Sequence, residues 1–592
     1  MNSLRILLLS FFLPLALCAQ KAKKTSADKP NEVTFSLVAT SDVHGNFFPY
    51  DFVNQKPGTG SLSRVSTYLK QLRAERGRFN VIYMDNGDIL QGQPSAYYYN
   101  HVATSSPHPA ASMINYLDAL CGTVGNHDIE TGASVYERWM NDCAFANLGA
   151  NVFNTKTGRT AFTAYIMEEI KGVQVGVLGL ITPSIPSYVP EAAWKDMQFR
   201  DMLATAQRVV PIIRRAGKAD IVVVLMHSGL GPSGVADPML ENAAQQIAEQ
   251  VPNVDLIFCG HDHRMANLAI TNKQTGKKVL VLNPGANADY IAQADFTVKF
   301  NAQKKVQSRT MAGRIVSVKD IEPDPEFMEK YKDEFEAVKK YTSEVIGHST
   351  GHFDTRGALF GSTPLLDYIH SVQLKASKAD ISMAAPLAFD ISINEGDIKV
   401  ADLFKLYKYE NTINVVHMTG AEVKKYLEES YAIWTNQMSS PSDHMILLSD
   451  NYQTATDNWQ KLKHSIYNFD SAAGIRYEVD LRKPKGEKVT ILSMENGSPF
   501  SPQRTYKVAM SSYRASGGGG HLKRALGVEQ SALKSRVKWV SPHDMRHYIM
   551  QDISAKKELS PKARYNWNFV PAGWADNASE RDATILYGDA AQ

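Results

Sequence analysis

Residues 35–45 read Phe-Ser-Leu-Val-Ala-Thr-Ser-Asp-Val-His-Gly, and this stretch sets the pattern for the first half of the chain. The apolar, β-branched run Phe35–Thr40 predicts a buried strand. Asp42 and His44 follow that run at once. Because ligands of α/β proteins bind beyond the carboxyl ends of strands, a carboxylate and an imidazole at this point predict a strand that ends in a binding site.

The same arrangement recurs along the first half of the chain. Further apolar runs are found at Val81–Met84, Ala119–Val124, Val173–Ile181, Ile221–Met226, Val254–Cys259 and Val279–Leu282. Helix-like segments such as Ser61–Arg76 and Met202–Ala216 lie between several of these runs. Strands that alternate with helices predict a layered α/β domain built around sheets, which we place at residues 33–322.

A polar cluster directly follows five of these runs. The clusters are Asp42-Val43-His44, Gly87-Asp88, Gly125-Asn126-His127-Asp128, His227 and Gly260-His261-Asp262-His263. Side chains that leave neighbouring strand ends converge in space although they are far apart in sequence. Any one of these residues alone is better explained by a structural role, but five clusters in order favour a single site.

The converging side chains offer oxygen and imidazole ligands and no thiolate. They are Asp42, His44, Asp88, Asn126, His227, His261 and His263. This mixture suits Zn, Mn, Fe or Co and disfavours a cysteine-based structural zinc. Seven ligands exceed what one tetrahedral ion takes, so the count predicts two divalent metal ions. Asp88 is the candidate bridge between them, because it belongs to none of the histidine-bearing motifs.

Length and composition exclude several classes of protein. At 592 residues the chain is longer than one ordinary domain of ~100–200 residues. Hydrophobic residues make up 44% of the chain and charged residues 21%, which argues against a collagen, a wholly disordered chain and a multi-span membrane protein. The net charge is only +3, so no global basic field exists to bind a nucleic acid polymer.

The N-terminus has the features of a secretory signal peptide. Arg5 precedes the apolar run Ile6–Leu17, which predicts a signal peptide over residues 1–19 with cleavage near residues 18–20. A membrane anchor is the alternative, but the run is well short of the ~20 residues that span a bilayer. We therefore expect a protein that is periplasmic or otherwise exported, without stable membrane insertion.

Cleavage of the signal peptide leaves three cysteines. They are Cys121, Cys143 and Cys259, and an odd number allows one disulfide at most. The sequence leaves open whether that disulfide forms.

The pattern of the chain changes near residue 320. Pro323 and Pro325 interrupt it, and apolar residues then recur at helical spacing among Lys and Glu. This predicts a charged connecting helix over residues 325–346. We expect a second domain of mixed helix and strand at residues 350–545, followed by a C-terminal tail at residues 546–592.

Together, the five polar clusters resemble the motifs of the calcineurin-like metallophosphoesterases. The second domain narrows the resemblance to the periplasmic 5′-nucleotidase/cyclic-phosphodiesterase family. Within that family, the chain looks most like the bifunctional 2′,3′-cyclic-nucleotide 2′-phosphodiesterase/3′-nucleotidases. The segments that carry this likeness are Ala384-Ala385-Pro386, Tyr407–Thr412, Asn468-Phe469-Asp470 and Tyr513–Gly519. The resemblance covers residues 33–530.

The resemblance implies an α/β fold with two domains. An N-terminal layered metallophosphoesterase domain, with a β-sandwich core flanked by helices, is joined by a helix to a C-terminal α/β nucleotide-binding domain. The resemblance also divides the metal ligands. One ion is held by Asp42, His44 and His263, the other is held by Asn126, His227 and His261, and Asp88 is shared.

Two residues beside the metal ligands are implied to be catalytic. His127 corresponds to a histidine that stabilises the phosphoryl oxygens or helps to protonate the leaving group. The alternative is that His127 only holds Asn126 in place. In the 5′-nucleotidase branch an Asp three residues further on orients this histidine. Here Glu130 stands at that position, and its extra methylene changes the geometry of the pair.

The second domain is implied to bind the base of a small-molecule nucleotide. Tyr409 and Tyr513 stand at the two aromatic positions that sandwich the base in the family, and Asn411 can hydrogen-bond its edge. The implied function is hydrolysis of 2′,3′-cyclic nucleotides and 3′-nucleotides to nucleoside and phosphate by an exported monomer. The alternatives are a 5′-nucleotidase or nucleotide-sugar hydrolase, and a non-catalytic nucleotide-binding protein.

Overall fold

A computed structural model describes residues 31–104 and 106–588. The predicted signal peptide at residues 1–19 lies outside these ranges. Within the described residues, no helix combines the length and the apolar character that crossing a bilayer requires.

Two six-stranded sheets form the centre of the first domain. In spatial order, the first sheet consists of Val306–Ser317, Tyr290–Phe300, Glu32–Thr40, Val81–Asp85, Ala119–Thr123 and Ala146–Leu148. The second consists of Ala266–Thr271, Lys278–Asn283, Leu256–Phe258, Ile221–His227, Val173–Ile181 and Tyr165–Ile170. In each sheet four successive strands run parallel. Their carboxyl ends therefore lie along one edge of the sheet, where the polar clusters begin.

The two sheets pack face to face, with helices on both outer surfaces. Along the strand Glu32–Thr40, Phe35 and Leu37 point into the space between the sheets, whereas Val38 points outward. The outer face of the first sheet is covered by Leu62–Arg76, Pro109–Tyr116 and Ala133–Asp142, and that of the second by Met202–Arg215 and Ala244–Gln250. The predicted layered α/β domain with a β-sandwich core flanked by helices is confirmed.

Two helices, Pro325–Lys330 and Lys332–Ser343, occupy the segment predicted as one connecting helix at residues 325–346. The break falls at Tyr331, whose backbone leaves the helical region. The Tyr331 hydroxyl, which is buried, donates to the carbonyl of Ser112 at 2.8 Å. Phe327 and Val338 are buried with Tyr331 in the core of the first domain. The prediction is therefore corrected, because the apolar stripe packs onto the first domain and bends the segment.

The second domain is built on a five-stranded sheet and two smaller three-stranded sheets. The large sheet has the order Ser471–Ala473, Ile381–Ala384, Thr505–Ser511, Thr412–Thr419 and Val537–Asp544. The small sheets are Gly396–Lys399, Val345–Ser349 and Glu558–Leu559, and Val489–Met494, Ile475–Asp480 and Trp567–Val570. The main helices are Pro364–Ser377, Val400–Leu406, Gly420–Trp434, Met545–Lys556 and Ala572–Tyr587.

Short elements complete the fold. Two-stranded ribbons pair Tyr50–Asp51 with Lys56–Pro57, Val152–Asn154 with Met197–Phe199, and Phe353–Asp354 with Ser392–Ile393. Short helices are found at Pro94–Tyr97, Asn126–Glu130, Asn458–Lys461, Ser512–Ala515, His521–Leu526 and Gln530–Leu533.

The C-terminal segment is folded. The prediction of a tail at residues 546–592 is therefore wrong for residues 546–588, which are the part that the structure describes. The strand Trp567–Val570 pairs in parallel with Ile475–Asp480. In the helix Ala572–Tyr587, the carboxylate of Asp582 is fully buried and accepts from the backbone N–H of Met445 at 2.8 Å. Since these partners are about a hundred residues or more away in sequence, local periodicity gave no sign of them.

Candidate active site

The predicted metal ligands come together at the carboxyl edges of the two sheets. Two groups of three side chains have ligand atoms within 4.8 Å of one another. They are Asp42, His44 and His263, and Asp88, His227 and His261. Asn126 joins the second group, because its Oδ1 lies 3.2 Å from Nε2 of His227. All seven predicted ligands are therefore in one place.

In the first group, two imidazoles face the same point. Nε2 of His44 lies 3.0 Å from Nε2 of His263, and the latter lies 3.4 Å from Oδ1 of Asp42. Nδ1 of His44 donates to the carbonyl of Gln91 at 3.0 Å. This bond leaves the lone pair of His44 on Nε2, directed into the group. The arrangement fits a cation, because lone pairs and a carboxylate converge.

In the second group, a histidine is again bonded to a backbone carbonyl through Nδ1 and faces the other ligands through Nε2. Nδ1 of His227 donates to the carbonyl of Asn86 at 2.8 Å, so its Nε2 carries the lone pair. That nitrogen faces Oδ2 of Asp88 at 3.1 Å and Oδ1 of Asn126 at 3.2 Å. Oδ2 of Asp88 is buried and has no hydrogen-bond partner. A buried oxygen that receives no hydrogen bond and lies among other acceptor atoms is the arrangement expected of a metal ligand.

Both candidate carboxylates hold negative charge inside the protein. Burial acts to raise the pKa of Asp42, but the hydrogen bond from His263 and the nearby His227 outweigh it and bring the pKa to about 2. The pKa of Asp88 is likewise held well below its ordinary value, because the nearby His227 and His127 outweigh the effect of burial. A buried charge needs a compensating partner, and a bound cation supplies one.

The backbone is strained at five of the seven ligands. Positive φ values occur at Asp42 (53°), His44 (48°), Asp88 (56°), His261 (70°) and His263 (56°). Non-glycine residues in this region cost about 1–3 kcal/mol each and cluster at functional sites. The fold therefore places these side chains against their local backbone preference.

The glycines of the motifs allow the loops to approach one another closely. A Cβ on Gly125 would overlap Oδ1 of Asp88, and a Cβ on Gly260 would overlap the Oγ of Ser41. Glycine is therefore required immediately before the ligands Asn126 and His261.

Asp128 holds the ligand loops together, a role that the sequence did not reveal. Its buried carboxylate accepts from the backbone N–H groups of Asp88, Ile89, Leu90 and Gly125, each at 2.8 Å. Charge-assisted bonds of this kind are about twice as strong as neutral ones. The sequence signal for this role was the position of Asp128 directly after His127.

Glu241 is a second contributor that the sequence did not reveal. Its Oε1 lies 2.9 Å from Nε2 of His261. A carboxylate on the outer nitrogen of a ligand histidine fixes the ring and leaves Nδ1 for the ion.

His127 and Glu130 form a hydrogen-bonded pair beside the ligands. Nδ1 of His127 lies 2.7 Å from Oε2 of Glu130. Burial acts to lower the pKa of His127, but Asp88 and Glu130 outweigh it and raise the pKa to about 9. Glu130 therefore favours the protonated imidazole, and it leaves Nε2 available to other groups.

A cavity of about 520 Å³ connects this centre with the second domain. The metal-ligand side contributes Asn126, His127, Glu130, Tyr188, Glu241 and His261. The second domain contributes Leu387, Tyr407, Tyr409, Asn411, Tyr467, Asp470, Tyr513, Arg514 and Gly517–Gly519, among others. The volume is in the range of small-molecule sites.

The far end of the cavity is aromatic. The predicted Tyr409 and Tyr513 both line it, and so does Tyr467, which the sequence did not single out. The rings of Tyr467 and Tyr513 meet edge to face, with centroids 6.3 Å apart. Gly518 packs on the ring of Tyr513 so closely that a Cβ there would overlap it. Partly exposed aromatic rings around a cavity can stack on a planar ligand.

Asn411 lies in the cavity wall and positions Tyr513. Its Oδ1 accepts from the Oγ of Ser512 at 3.1 Å and from the backbone N–H of Tyr513 at 3.2 Å. The predicted contact of Asn411 with a base edge stays a prediction, and its carbonyl oxygen already has two donors.

Arg514 connects two motifs of the second domain. Its guanidinium makes a bidentate pair with Asp470 at 2.9 and 3.0 Å. It also donates to Oδ1 of Asn468 at 3.1 Å and to the carbonyls of Gly518 and Tyr467 at 2.7 and 2.9 Å. One buried side chain therefore fixes the segments that carry Tyr467 and Tyr513.

The three described cysteines are free thiols. Cys121 and Cys259 are buried, and Cys143 is partly buried. The disulfide that the sequence left open is not formed among them.

Two domain families match the chain. Residues 35–265 match the family described as "Calcineurin-like phosphoesterase". Residues 345–525 match the family described as "5'-nucleotidase, C-terminal domain". The domain boundaries predicted at residues 322 and 350 stay predictions.

The chain is also similar to named proteins along most of its length. It is 27% identical to a Haemophilus influenzae "2',3'-cyclic-nucleotide 2'-phosphodiesterase/3'-nucleotidase", covering 94% of this chain and 90% of that protein. It is 26% identical to the Bacillus subtilis "Trifunctional nucleotide phosphoesterase protein YfkN" over 91% of this chain, and it spans 39% of that longer protein.

A solved structure has the same architecture. The structure of a Staphylococcus aureus protein described as a 5'-nucleotidase superimposes with a TM-score of 0.73. It covers 91% of this chain and 100% of its own, at 22% identity. At this identity the likeness establishes the two-domain fold and nothing finer.

Proposed function

Because the chain belongs to the 5′-nucleotidase family, with a calcineurin-like phosphoesterase domain followed by a 5′-nucleotidase C-terminal domain, we propose that it hydrolyses phosphoester bonds of nucleotides. The preferred substrates are 2′,3′-cyclic nucleotides and 3′-nucleotides, and the products are nucleoside and phosphate. The observation that carries the proposal is one cavity with a metal-ligand cluster at one end and three tyrosines at the other. These two ends suit the two halves of a nucleotide.

The ligand groups would hold two divalent ions, with Asp88 between them. Asp42, His44 and His263 would bind one, and Asn126, His227 and His261 the other. When bound, such ions polarise the phosphoryl group and lower the pKa of water, which makes hydroxide available as the nucleophile near pH 7. Oxygen and imidazole ligands suit Zn, Mn, Co or Fe.

His127 is the general acid or phosphoryl-oxygen donor in this proposal. Glu130 binds Nδ1 of the ring and stabilises the imidazolium, so Nε2 keeps a proton to donate. A leaving oxygen that receives this proton departs as a hydroxyl rather than as an alkoxide. Glu130, unlike the shorter Asp of the 5′-nucleotidases, still reaches His127 at 2.7 Å.

Tyr409 and Tyr513 bind the base by stacking. Stacking is worth about 1–3 kcal/mol per base and tolerates different bases. Arg514 and Asn411 act on this end of the cavity indirectly, since their polar atoms hold the loop of Tyr513.

The choice of the cyclic and 3′-nucleotide branch rests on the sequence segments of the second domain and on the names of the full-length relatives. Export to the periplasm rests on Arg5 and the apolar run Ile6–Leu17. We also expect the enzyme to act as a monomer, because both ends of the cavity come from one chain.

A substrate panel tests this function. The purified mature chain, loaded with Mn or Zn, is assayed for phosphate release from 2′,3′-cyclic AMP, 3′-AMP and 5′-AMP. We expect turnover of the first two. Turnover of 5′-AMP alone would assign a 5′-nucleotidase instead. Tight metal binding without turnover of any phosphoester would support the non-catalytic alternative.

A further inference from the structure

Tyr188 presents a buried hydroxyl without a partner at the wall of the cavity. The residue lines the cavity together with Asn126 and His127. Its hydroxyl oxygen is buried, and no described residue makes a hydrogen bond with it. The side chain of Thr182 lies near this oxygen, but the two hydroxyls do not meet in hydrogen-bond geometry. A buried phenol without a partner costs stability and is rare, so it indicates a group that awaits a ligand.

The backbone on both sides of Tyr188 is anchored. The short helical turn Ile185–Ser187 precedes it, and the N–H of Tyr188 donates to the carbonyl of Ile185 at 3.2 Å. Ile185 and Val189 are buried in the core of the first domain. Nε1 of Trp194 donates to the carbonyl of Val189 at 2.9 Å. The fold therefore holds the Tyr188 ring at the cavity wall, and a partner for its hydroxyl has to enter the cavity.

The position of Tyr188 in the fold places it at the metal-ligand end. It belongs to the first domain, as the metal ligands do, whereas the tyrosines of the aromatic end belong to the second. The helix Asn126–Glu130, which carries a ligand and His127, packs against the turn Glu191–Trp194 that follows Tyr188. The hydroxyl is therefore next to the part of the cavity where a phosphoryl group would bind.

The charges around Tyr188 make its hydroxyl a donor. Burial, and after it the charges of Glu241, Asp88 and Glu130, hold the pKa of Tyr188 well above its ordinary value. The phenol therefore keeps its proton at neutral pH. None of the three carboxylates accepts that proton, and Glu241 and Glu130 are already bonded to histidines. A ligand has to supply the acceptor.

We propose that the hydroxyl of Tyr188 donates a hydrogen bond to a non-bridging oxygen of the substrate phosphoryl group. The inference rests on the proposed function and adds a substrate-binding residue to it. The phosphoryl group is the part of a nucleotide that would bind at the metal-ligand end, and it brings charged acceptors there. A hydrogen bond to a charged oxygen is roughly twice as strong as one to a neutral ribose hydroxyl, which favours the phosphoryl group as the acceptor.

Tyr188→Phe removes the hydroxyl and nothing else. kcat/KM is measured for 3′-AMP and for p-nitrophenyl phosphate, which have only the phosphoryl group in common. We expect both values to fall by a similar factor, about 10- to 100-fold. Inhibition by inorganic phosphate should weaken as well. A loss confined to 3′-AMP would assign the hydroxyl to the nucleoside and would overturn the proposal, as would unchanged kinetics.

The stability of the same variant separates ligand binding from a structural role. Removing a buried hydroxyl that has no protein partner removes a desolvation cost, so the urea midpoint of Tyr188→Phe should equal or exceed that of the wild type. Tyr587→Phe is the matched control. The Tyr587 hydroxyl is also buried and has no partner among the described residues, but Tyr587 does not line the cavity. This control should keep both its midpoint and full activity. A lower midpoint for Tyr188→Phe would indicate a structural role and overturn the proposal.

Two further measurements separate the hydroxyl from the metal centre and from the proposed function. Metal content by elemental analysis should be the same in Tyr188→Phe and the wild type, and a loss of metal would overturn the proposal. If the wild type turns over no phosphoester, the proposed function fails. Calorimetric titration of the Mn-loaded proteins with inorganic phosphate then still decides the role of Tyr188. Weaker binding by Tyr188→Phe supports the donor, and equal binding overturns it.

Discussion

The carboxylate of Asp128 holds the backbone of Asp88, with its Oδ2 accepting from the Asp88 N–H at 2.8 Å. The same oxygen accepts from the N–H of Gly125, and the other oxygen accepts from the two residues that follow Asp88. Asp88 has a positive φ of 56°. One buried side chain therefore keeps the candidate bridging ligand in a strained conformation, next to the loop of Asn126 and His127.

Asp88→Asn should remove most of the metal and most of the activity. The amide lacks the charge that both ligand groups share, and we expect kcat/KM to fall at least about 100-fold. Metal content by elemental analysis and turnover of 3′-AMP are the measurements. Asp320→Asn, at an exposed position, is the matched control. Near-normal turnover in Asp88→Asn would rule out a shared bridging ligand.

Asp128→Asn should weaken the centre without touching any ligand. Its amide NH₂ would face backbone N–H donors, and each N–H left unpaired costs about 1–3 kcal/mol. Metal affinity should fall about 10–100-fold, as for other groups that orient ligands. Calorimetric titration with Mn or Zn, together with urea unfolding of the metal-free protein, measures both effects. Unchanged affinity and stability would show that the four hydrogen bonds contribute nothing to the site.

Glu130→Gln should shift the pH profile of the reaction. The pKa of His127 is about 9 in part because Glu130 is charged. If the imidazolium is the proton donor, activity is lost as pH rises through this pKa, and the variant should lose it at lower pH. Glu130→Asp keeps the charge and should move the profile less, and the exposed Glu336→Gln should not move it. Superimposable profiles for all three variants would contradict an orienting role for Glu130.

Tyr513→Ala should raise KM for nucleotides and spare a small aryl phosphate. Losing one stacking ring costs about 1–3 kcal/mol, which corresponds to roughly a 5- to 150-fold increase in KM. Steady-state kinetics with 3′-AMP and p-nitrophenyl phosphate measures the two values. Tyr565→Ala is a suitable control, because that ring is 78% exposed. Equal losses on both substrates would indicate damage to the centre itself.

His370 should make the second domain sensitive to acid. Burial between Ser382 and Ser471 lowers the pKa of His370 from 6.5 to about 3. As the pH falls, the unfolded chain therefore takes up a proton at His370 before the folded chain does. Its contribution to stability is complete above pH 6.5 and falls by about 1.4 kcal/mol per pH unit as the pH drops toward 3.

The unfolding of His370→Gln measures this effect. The variant cannot take up the proton, so its midpoint in urea should depend less on pH between 6.5 and 4 than the wild-type midpoint does. The exposed His348→Gln provides the comparison. Parallel pH dependences for wild type and His370→Gln would show that His370 does not drive the acid transition.

Much of the first domain was predictable because its signals are local. Each apolar run from Phe35–Thr40 onward has the length and β-branched composition of a buried strand, and each polar cluster directly follows its run. The parallel order of the strands accounts for the closeness of Asp42 and Asp88 in the first sheet, and of His227 and His261 in the second.

The residues that support these ligands were not predictable in the same way. Asp128 and Glu241 act through partners that are close only in the folded chain, and Arg514 matters because Asp470, 44 residues away, lies beside it. The break at Tyr331 and the folding of the C-terminal segment were missed for the same reason, since long-range packing overrode weak local patterns.

The sequence by itself determined the strand pattern, the ligand types and the family resemblance, because covalent spacing and side-chain chemistry are written in it. Only the tertiary structure decided how these parts work together. It placed His127 against Glu130, gave Asp88 a buried oxygen without a hydrogen-bond partner, and joined the metal ligands to Tyr409 and Tyr513 in one cavity. It also engaged the N–H groups of the Arg514 guanidinium in hydrogen bonds to neighbouring residues of the second domain. Such facts depend on distances between residues remote in the chain, which are set by the packing of both domains.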